Sequence, residues 1–166
     1  MNEQFMLEAI RLAEVAASIG EVPVGAIIVL NNEIIGRGYN SKEKDKTPIN
    51  HAEINAINDA CKKIGDWRLN GAVMYSTCEP CVMCAGAIVH SRISKVYFGV
   101  REPKFGGVVS CANIFSNSEN KKSNADDNSS IKEFNNLNHN VLWEEGLLYE
   151  EISLLMKDFF KKIRSK

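Results

Sequence analysis

No stretch of the 166-residue sequence is long and apolar enough to span a bilayer, and neither charge sign is in excess, the formal net charge being −1. The first absence argues against a membrane-spanning chain. The second means that any contact with nucleic acid depends on local basic clusters, because the chain as a whole is not strongly basic. No secretory segment is expected at positions 1–19, which scatter Glu3, Glu8, Arg11 and Glu14 among their apolar residues and suit neither a signal peptide nor an Arg-rich transit peptide. Internal repeats are absent. The five cysteines are an odd count for a disulfide framework, and three of them crowd into positions 78–84. Together these features give the expectation of a cytoplasmic protein whose clustered thiols bind metal or do chemistry rather than pair. With 45% hydrophobic and 25% charged residues, disordered and collagen-like chains are excluded. A chain of this length buries about two thirds of its surface, enough for one core, so a single domain over residues 1–166 is expected.

Phe5, Leu7, Ile10, Leu12, Ala13, Val15, Ala16 and Ile19 recur near helical spacing, and Gly20 follows as a stop. Val22 to Leu30 is too uniformly apolar and β-branched for a surface helix. With the turn-forming pair Asn31-Asn32 and the stretch Glu33 to Tyr39 it reads as a buried hairpin. Residues 40–50 are polar and read as a loop, Asn50 offers an N-cap, and a helix is expected over His51 to Lys63. Strand signals at Ala72–Ser76 and Lys95–Val100 flank a helix opened by Pro80, which suits a parallel pair joined by a crossover. Ser116 to Ser130 holds no large apolar residue and cannot offset its ordering entropy, so a polar, mobile insertion is expected at about 116–133. A short edge strand at Asn140–Trp143 and an amphipathic helix over Leu147–Ile163 complete the expected elements.

Cys81 and Cys84 lie at the start of the helix after Pro80, where the partial positive charge of a helix N-terminus favours thiolates. His51 stands at the start of another helix, and Glu53 follows two residues on. A catalytic zinc needs three protein donors and an open fourth position for water, whereas a structural zinc is closed by four. His51, Cys81 and Cys84 supply three, which leaves Glu53 free to move protons between water and a substrate ring nitrogen. Each piece also has a plainer explanation. Asn50-x-x-Glu53 has capping-box spacing, a lone His51 would suit a buried structural role, and C-x-x-C alone could be a redox pair, which would leave H-x-E unexplained. Cys78 would turn the set into a closed structural site, although it precedes Pro80 and falls at a strand end, off the helical face. His90 reads as a helix C-terminal residue near free carbonyls. The residues thus suit a hydrolytic zinc enzyme or, as an alternative, a non-catalytic structural zinc module that binds RNA.

H-x-E followed by P-C-x-x-C is the signature of zinc deaminases acting on nucleobases. Beyond it lie Val22-Pro23-Val24-Gly25-Ala26, His51-Ala52-Glu53-Ile54, Glu79-Pro80-Cys81-Val82-Met83-Cys84-Ala85-Gly86-Ala87 and His90-Ser91-Arg92-Ile93. Phe98-Gly99, Lys104, Asn138-His139, Glu145-Gly146 and Asp158-Phe159-Phe160 continue the pattern. With these segments the sequence resembles the bacterial tRNA-specific adenosine deaminase family over nearly its whole length. The resemblance implies an α/β fold, a three-layer α/β/α cytidine-deaminase-like arrangement with a five-stranded mixed sheet, and a homodimer. It also implies one Zn2+ per subunit and hydrolytic conversion of adenosine to inosine at the wobble position of a tRNA anticodon loop.

Carried over residue by residue, the resemblance implies that His51, Cys81 and Cys84 hold zinc and that Glu53 shuttles protons during attack on C6 of adenine. Asn40 and the Ala52 backbone N–H would bind the base. Glu102 and Lys104 become RNA contacts. Lys157, Lys161, Lys162, Arg164 and Lys166 are candidate phosphate contacts or simply a solvated helix end. An anticodon loop is already largely single-stranded, so presenting its base costs little. Three features depart from the family pattern: Glu102 where Asp is usual, Cys78 where Leu is usual, and the insertion. A deaminase of free cytosine, guanine or nucleosides shares the metal set and is the rival enzyme.

Overall fold

The computed structural model describes residues 2–115 and 137–165. The expected insertion at about 116–133 lies outside the described residues, as does Lys166. In chain order the elements are α1 (Glu3–Ser18), β1 (Gly25–Leu30), β2 (Glu33–Tyr39), α2 (Lys42–Asp45), α3 (Ala52–Ile64), β3 (Val73–Cys78), α4 (Val82–His90), β4 (Lys95–Val100), β5 (Leu142–Glu145) and α5 (Tyr149–Arg164). Among the described residues no helix is long and apolar enough to cross a membrane.

The hairpin forms where Asn31-Asn32 predicts it. Both residues take positive φ, 51° and 65°, the conformation a two-residue turn needs if it is to match strand twist, and Leu30 faces Glu33 across it. The strands order as β2-β1-β3-β4-β5. β1 is antiparallel to both neighbours, and β3, β4 and β5 run parallel, so the sheet is the mixed five-stranded one expected. Alternate residues point to opposite faces. Ala26, Ile28, Met74, Val96 and Phe98 pack with Ala52, Ala56, Ala60, Ala85, Ile88 and Val89 of α3 and α4. Ile27, Val29, Tyr75 and Tyr97 pack with Met6 and Ala9 of α1 and Ile152 of α5. Two apolar layers, one on each side of the sheet, produce the α/β/α arrangement.

Several boundaries differ from expectation, each for a local reason. Residues 40–50 are not all loop, because Lys42–Asp45 makes one helical turn. The N-cap of α3 is His51, not Asn50, whose amide instead donates to Asp45 Oδ2 at 2.8 Å. Pro80 does not open α4. The chain there is held extended by a bridge from Cys81 to Gly106 and by the Gly107 N–H, which donates to the Pro80 carbonyl at 2.8 Å. The helix therefore begins at Val82, with Cys81 as its N-cap. β3 continues to Cys78, and β5 lies at the sheet edge two residues later than its sequence signal.

α3 carries one side of the site, and its distance from the sheet is set by small residues. A Cβ at Gly38 would lie 2.1 Å from the Ala52 carbonyl oxygen, and one at Gly36 would lie 2.4 Å from that of Ala56. The helix answers with Ala52, Ala56 and Ala60, all fully buried and spaced one turn apart. Gly38→Ala should force α3 off the sheet and destabilise the protein by about 1–3 kcal/mol, the usual cost of overpacking. Urea unfolding with an unchanged midpoint would contradict this close contact.

Candidate metal centre

α3 and α4 each start on a residue of the candidate site. His51 and Cys81 occupy N-cap positions with extended backbone, and their carbonyls accept the first helical bonds, from Asn55 N–H at 3.0 Å and Ala85 N–H at 2.8 Å. Neither side chain caps its own helix. Both are free to turn toward each other, and one turn into α4 Cys84 joins them. His51 Nδ1 lies 3.6 Å from Cys81 Sγ and 3.6 Å from Cys84 Sγ, and the three donor atoms all fall within 4.8 Å of one another. Tetrahedral zinc with ordinary Zn–S and Zn–N bonds separates its sulfur and nitrogen donors by about 3.6 Å. The donor set therefore fits zinc in number, type and spacing.

The two thiols are electrostatically unlike. A hydrogen bond from Cys84, with help from His51, draws the Cys81 thiol down to about 4, while the proximity of Cys81 and burial hold Cys84 well above the usual thiol range. His51 is raised by its hydrogen bond with Cys81. Zinc is bound by deprotonated cysteines, so its uptake at this pair would release protons. Glu53, in the first turn of α3, is only 3% exposed, and burial pushes its carboxyl up to about 7. A buried carboxyl poised near neutrality beside three metal donors suits a group that accepts and returns a proton.

The site lies beyond the carboxyl ends of the parallel strands β3 and β4, where open α/β sheets place their ligands. Asn40 follows the end of β2 and is 7% exposed. Its amide donates to Glu21 Oε2 and to the Val22 carbonyl, each at 3.4 Å. Glu21, itself buried, also accepts the Lys44 N–H at 2.7 Å. Ala52 is the first residue of α3, so its N–H is among those the helix cannot satisfy internally. Glu102 and Lys104 sit together on the loop after β4, where the Lys104 N–H donates to Glu102 Oε1 at 3.0 Å. That loop reaches the metal group through the Val82 N–H, which donates to the Phe105 carbonyl at 3.1 Å. Lys157, Lys161, Lys162 and Arg164 belong to α5, which packs on β4 and α1, in the layer opposite α3 and α4. A cleft of about 270 Å³ lined by Leu12, Arg37, Gly38, Tyr39, Ser41, Asp45 and Asn55 shares no residue with the metal group.

Cys78 stays out of the donor group. It pairs with Val100 across β3 and β4, joins the core cluster on the α1 and α5 side, and burial pushes its thiol above the usual range. Cys78→Ser should keep stoichiometric zinc and turnover within about threefold, since a hydroxyl replaces a protonated thiol in the same place. Zinc loss in that variant, measured by metal analysis, would instead favour a closed four-ligand site.

Sequence reasoning missed Glu21 and Glu79. Each is a lone carboxylate at the margin of an apolar run, Glu21 before Val22-Pro23-Val24 and Glu79 between Cys78 and Pro80, and each is 2% exposed. That signal was available, because a carboxylate is rarely fully buried unless partnered.

A nucleobase-deaminase donor set on an α/β/α sheet defines the class as zinc-dependent deaminases. The family model described as "Cytidine and deoxycytidylate deaminase zinc-binding region" matches residues 1–100. The chain is 41% identical over 165 residues to the tRNA-specific adenosine deaminase of Bacillus subtilis, covering 99% of this chain and 92% of that one. It is 44% identical over 164 residues to the enzyme of the same name from Aquifex aeolicus, covering 99% and 97%. A solved structure from studies of A-to-I editing by tRNA:A34 deaminases at the wobble position of transfer RNA superposes with a TM-score of 0.79. It shares 34% identity and covers 93% of this chain and 99% of its own. The chain belongs to the zinc-dependent cytidine and deoxycytidylate deaminase family and, within it, to the tRNA-specific adenosine deaminases.

Proposed function

We propose that this chain, as a single deaminase domain, hydrolyses adenosine to inosine at wobble position 34 of a tRNA anticodon loop. Water is consumed and ammonia leaves. The observation that carries the chemistry is the buried Glu53 carboxyl beside the group of His51, Cys81 and Cys84. The relatives' substrate supports the choice of tRNA. Zinc held by His51, Cys81 and Cys84 supplies the site, when bound, with a water acidified into the neutral range. Glu53 would take a proton from the attacking water and deliver it to the adenine ring nitrogen next to C6 as the water oxygen bonds to C6. It would next take the proton of the new C6 hydroxyl and pass it to the exocyclic amine, so that the C6–N bond breaks, ammonia departs and the C6 carbonyl forms.

Asn40 and the Ala52 N–H orient the base, while Glu102 and Lys104 contact the RNA backbone. The enzyme acts in the cytoplasm as a homodimer. Purified protein incubated with unmodified tRNA transcripts bearing A34 should give an adenosine-to-guanosine change at that position on sequencing, the mark of inosine. KM should rise steeply with salt, because phosphate contacts release counterions. Zinc-loaded protein that leaves every such tRNA unchanged but releases ammonia from free guanine or cytosine would overturn the proposal.

A further inference from the structure

Glu79 is a buried carboxylate with no part in the proton transfers above. Its Oε1 accepts three backbone N–H groups, from Val108 at 3.1 Å, Val109 at 2.7 Å and Ser110 at 3.0 Å. Its Oε2 accepts the Glu102 N–H at 3.0 Å and the Ser110 hydroxyl. All five bonds are charge-assisted, and all reach one stretch of chain, residues 102–110. The loop closes around the carboxylate so tightly that a Cβ at Gly106 would lie 2.5 Å from the carboxyl carbon and from both oxygens. The same stretch is stitched to the start of α4 by the Val82 N–H to Phe105 bond and the Gly107 N–H to Pro80 bond. Its exposed residues are Pro103, Lys104 and Phe105. Phe105, at 68% exposed, is a large aromatic ring left in solvent on a loop whose backbone is held fixed.

We propose that Glu79 is a positioning residue that sets the shape of loop 102–110, so that Lys104 and Phe105 meet the RNA bound at the metal centre. The proposal rests on the function given above. A cation and an aromatic face carried side by side on an anchored backbone are the combination that holds single-stranded RNA, the one on phosphate and the other stacked on an unpaired base. A free-standing loop would have to be ordered at each binding event. With Glu79 in place that ordering is completed in folding, and binding is tighter for it.

Glu79→Gln isolates this role. If the amide oxygen keeps the three N–H groups of Val108, Val109 and Ser110, the NH2 group faces the Glu102 N–H, and the two donors repel. The front of the loop, residues 102–105, is released. Zinc stoichiometry and kcat should stay within about twofold of wild type, while KM for tRNA rises about tenfold, as expected from losing one charge-assisted bond. Amide exchange should quicken in peptides spanning 101–110 and stay unchanged at 51–56. Phe105→Ala should raise KM at least about threefold in the wild-type background and by less when combined with Glu79→Gln, because the released loop no longer presents the ring. Should Glu79→Gln fail to fold, Ser110→Ala removes one donor and should shift exchange and KM the same way by a smaller amount.

Unchanged exchange at 101–110, or unchanged KM, would overturn the proposal. So would a fall in zinc and kcat at constant KM, which would make Glu79 a support of the metal ligands. If wild-type protein forms no inosine in the parallel assay, the function given above fails, whereas the exchange measurement still reports on the anchoring.

Discussion

Glu53→Ala should retain stoichiometric zinc and lose inosine formation by about 10²–10⁴-fold, the share usually supplied by general acid–base catalysis. Zinc is kept because the three donor atoms belong to His51, Cys81 and Cys84. The rate falls because water must give up a proton on attack and the departing amine must gain one, and Glu53 is the buried carboxyl assigned to carry both. Glu53→Gln controls for packing: it fills the same space and cannot cycle a proton, so it should fall as far as the alanine variant. Single-turnover inosine formation in zinc-loaded protein measures both, and a loss of less than about tenfold would remove Glu53 from the proton path.

Cys81→Ser is expected to act on metal, stability and turnover together. A neutral hydroxyl replaces the thiolate at the centre of the donor set, so zinc should fall well below one per chain and inosine formation should drop to background. Ligand binding to the native state adds about 2.7 kcal/mol when free ligand is at 100 times its Kd. For a chain of this size that corresponds to about 5–10 °C in Tm. Wild-type protein should lose a similar amount when stripped by a chelator, whereas Cys81→Ser should be indifferent to the chelator. Stoichiometric zinc in purified Cys81→Ser would contradict the ligand assignment.

The grouping of His51, Cys81 and Cys84 was legible because zinc chemistry demands fixed residue types at fixed spacing. Cys81 and Cys84 must share one helical turn, and the histidine and carboxylate must sit on a second helix. The apolar, β-branched strands and the Asn31-Asn32 turn were legible for a similar reason, as each is a local requirement of the backbone. What escaped was set by contacts distant in sequence. The start of α4 moved from Pro80 to Val82 because a loop more than twenty residues onward holds Pro80 and Cys81 extended. Glu79 was quoted as part of a motif without a role, since its partners on residues 102–110 become visible only once β4 brings that loop back. The basic residues of α5 looked like one patch in sequence, and only the layering of the sheet places that helix on the face opposite the metal group.

The seating of α3 on Gly36 and Gly38 bears on how a map of mutational tolerance for this protein would be interpreted. Positions 36, 38, 52, 56 and 60 hold only glycine or alanine, and the two glycines leave no room for a side chain. Variants there would be depleted by a selection for activity about as severely as changes at His51, although none of these side chains donates to the metal group. Intolerance alone would thus draw the active site too large, extending it along a helix whose small side chains keep a histidine at the right height above a sheet. Scoring each variant for metal content and for soluble yield separately would divide the positions that perform the chemistry from those that hold its scaffold at the required distance.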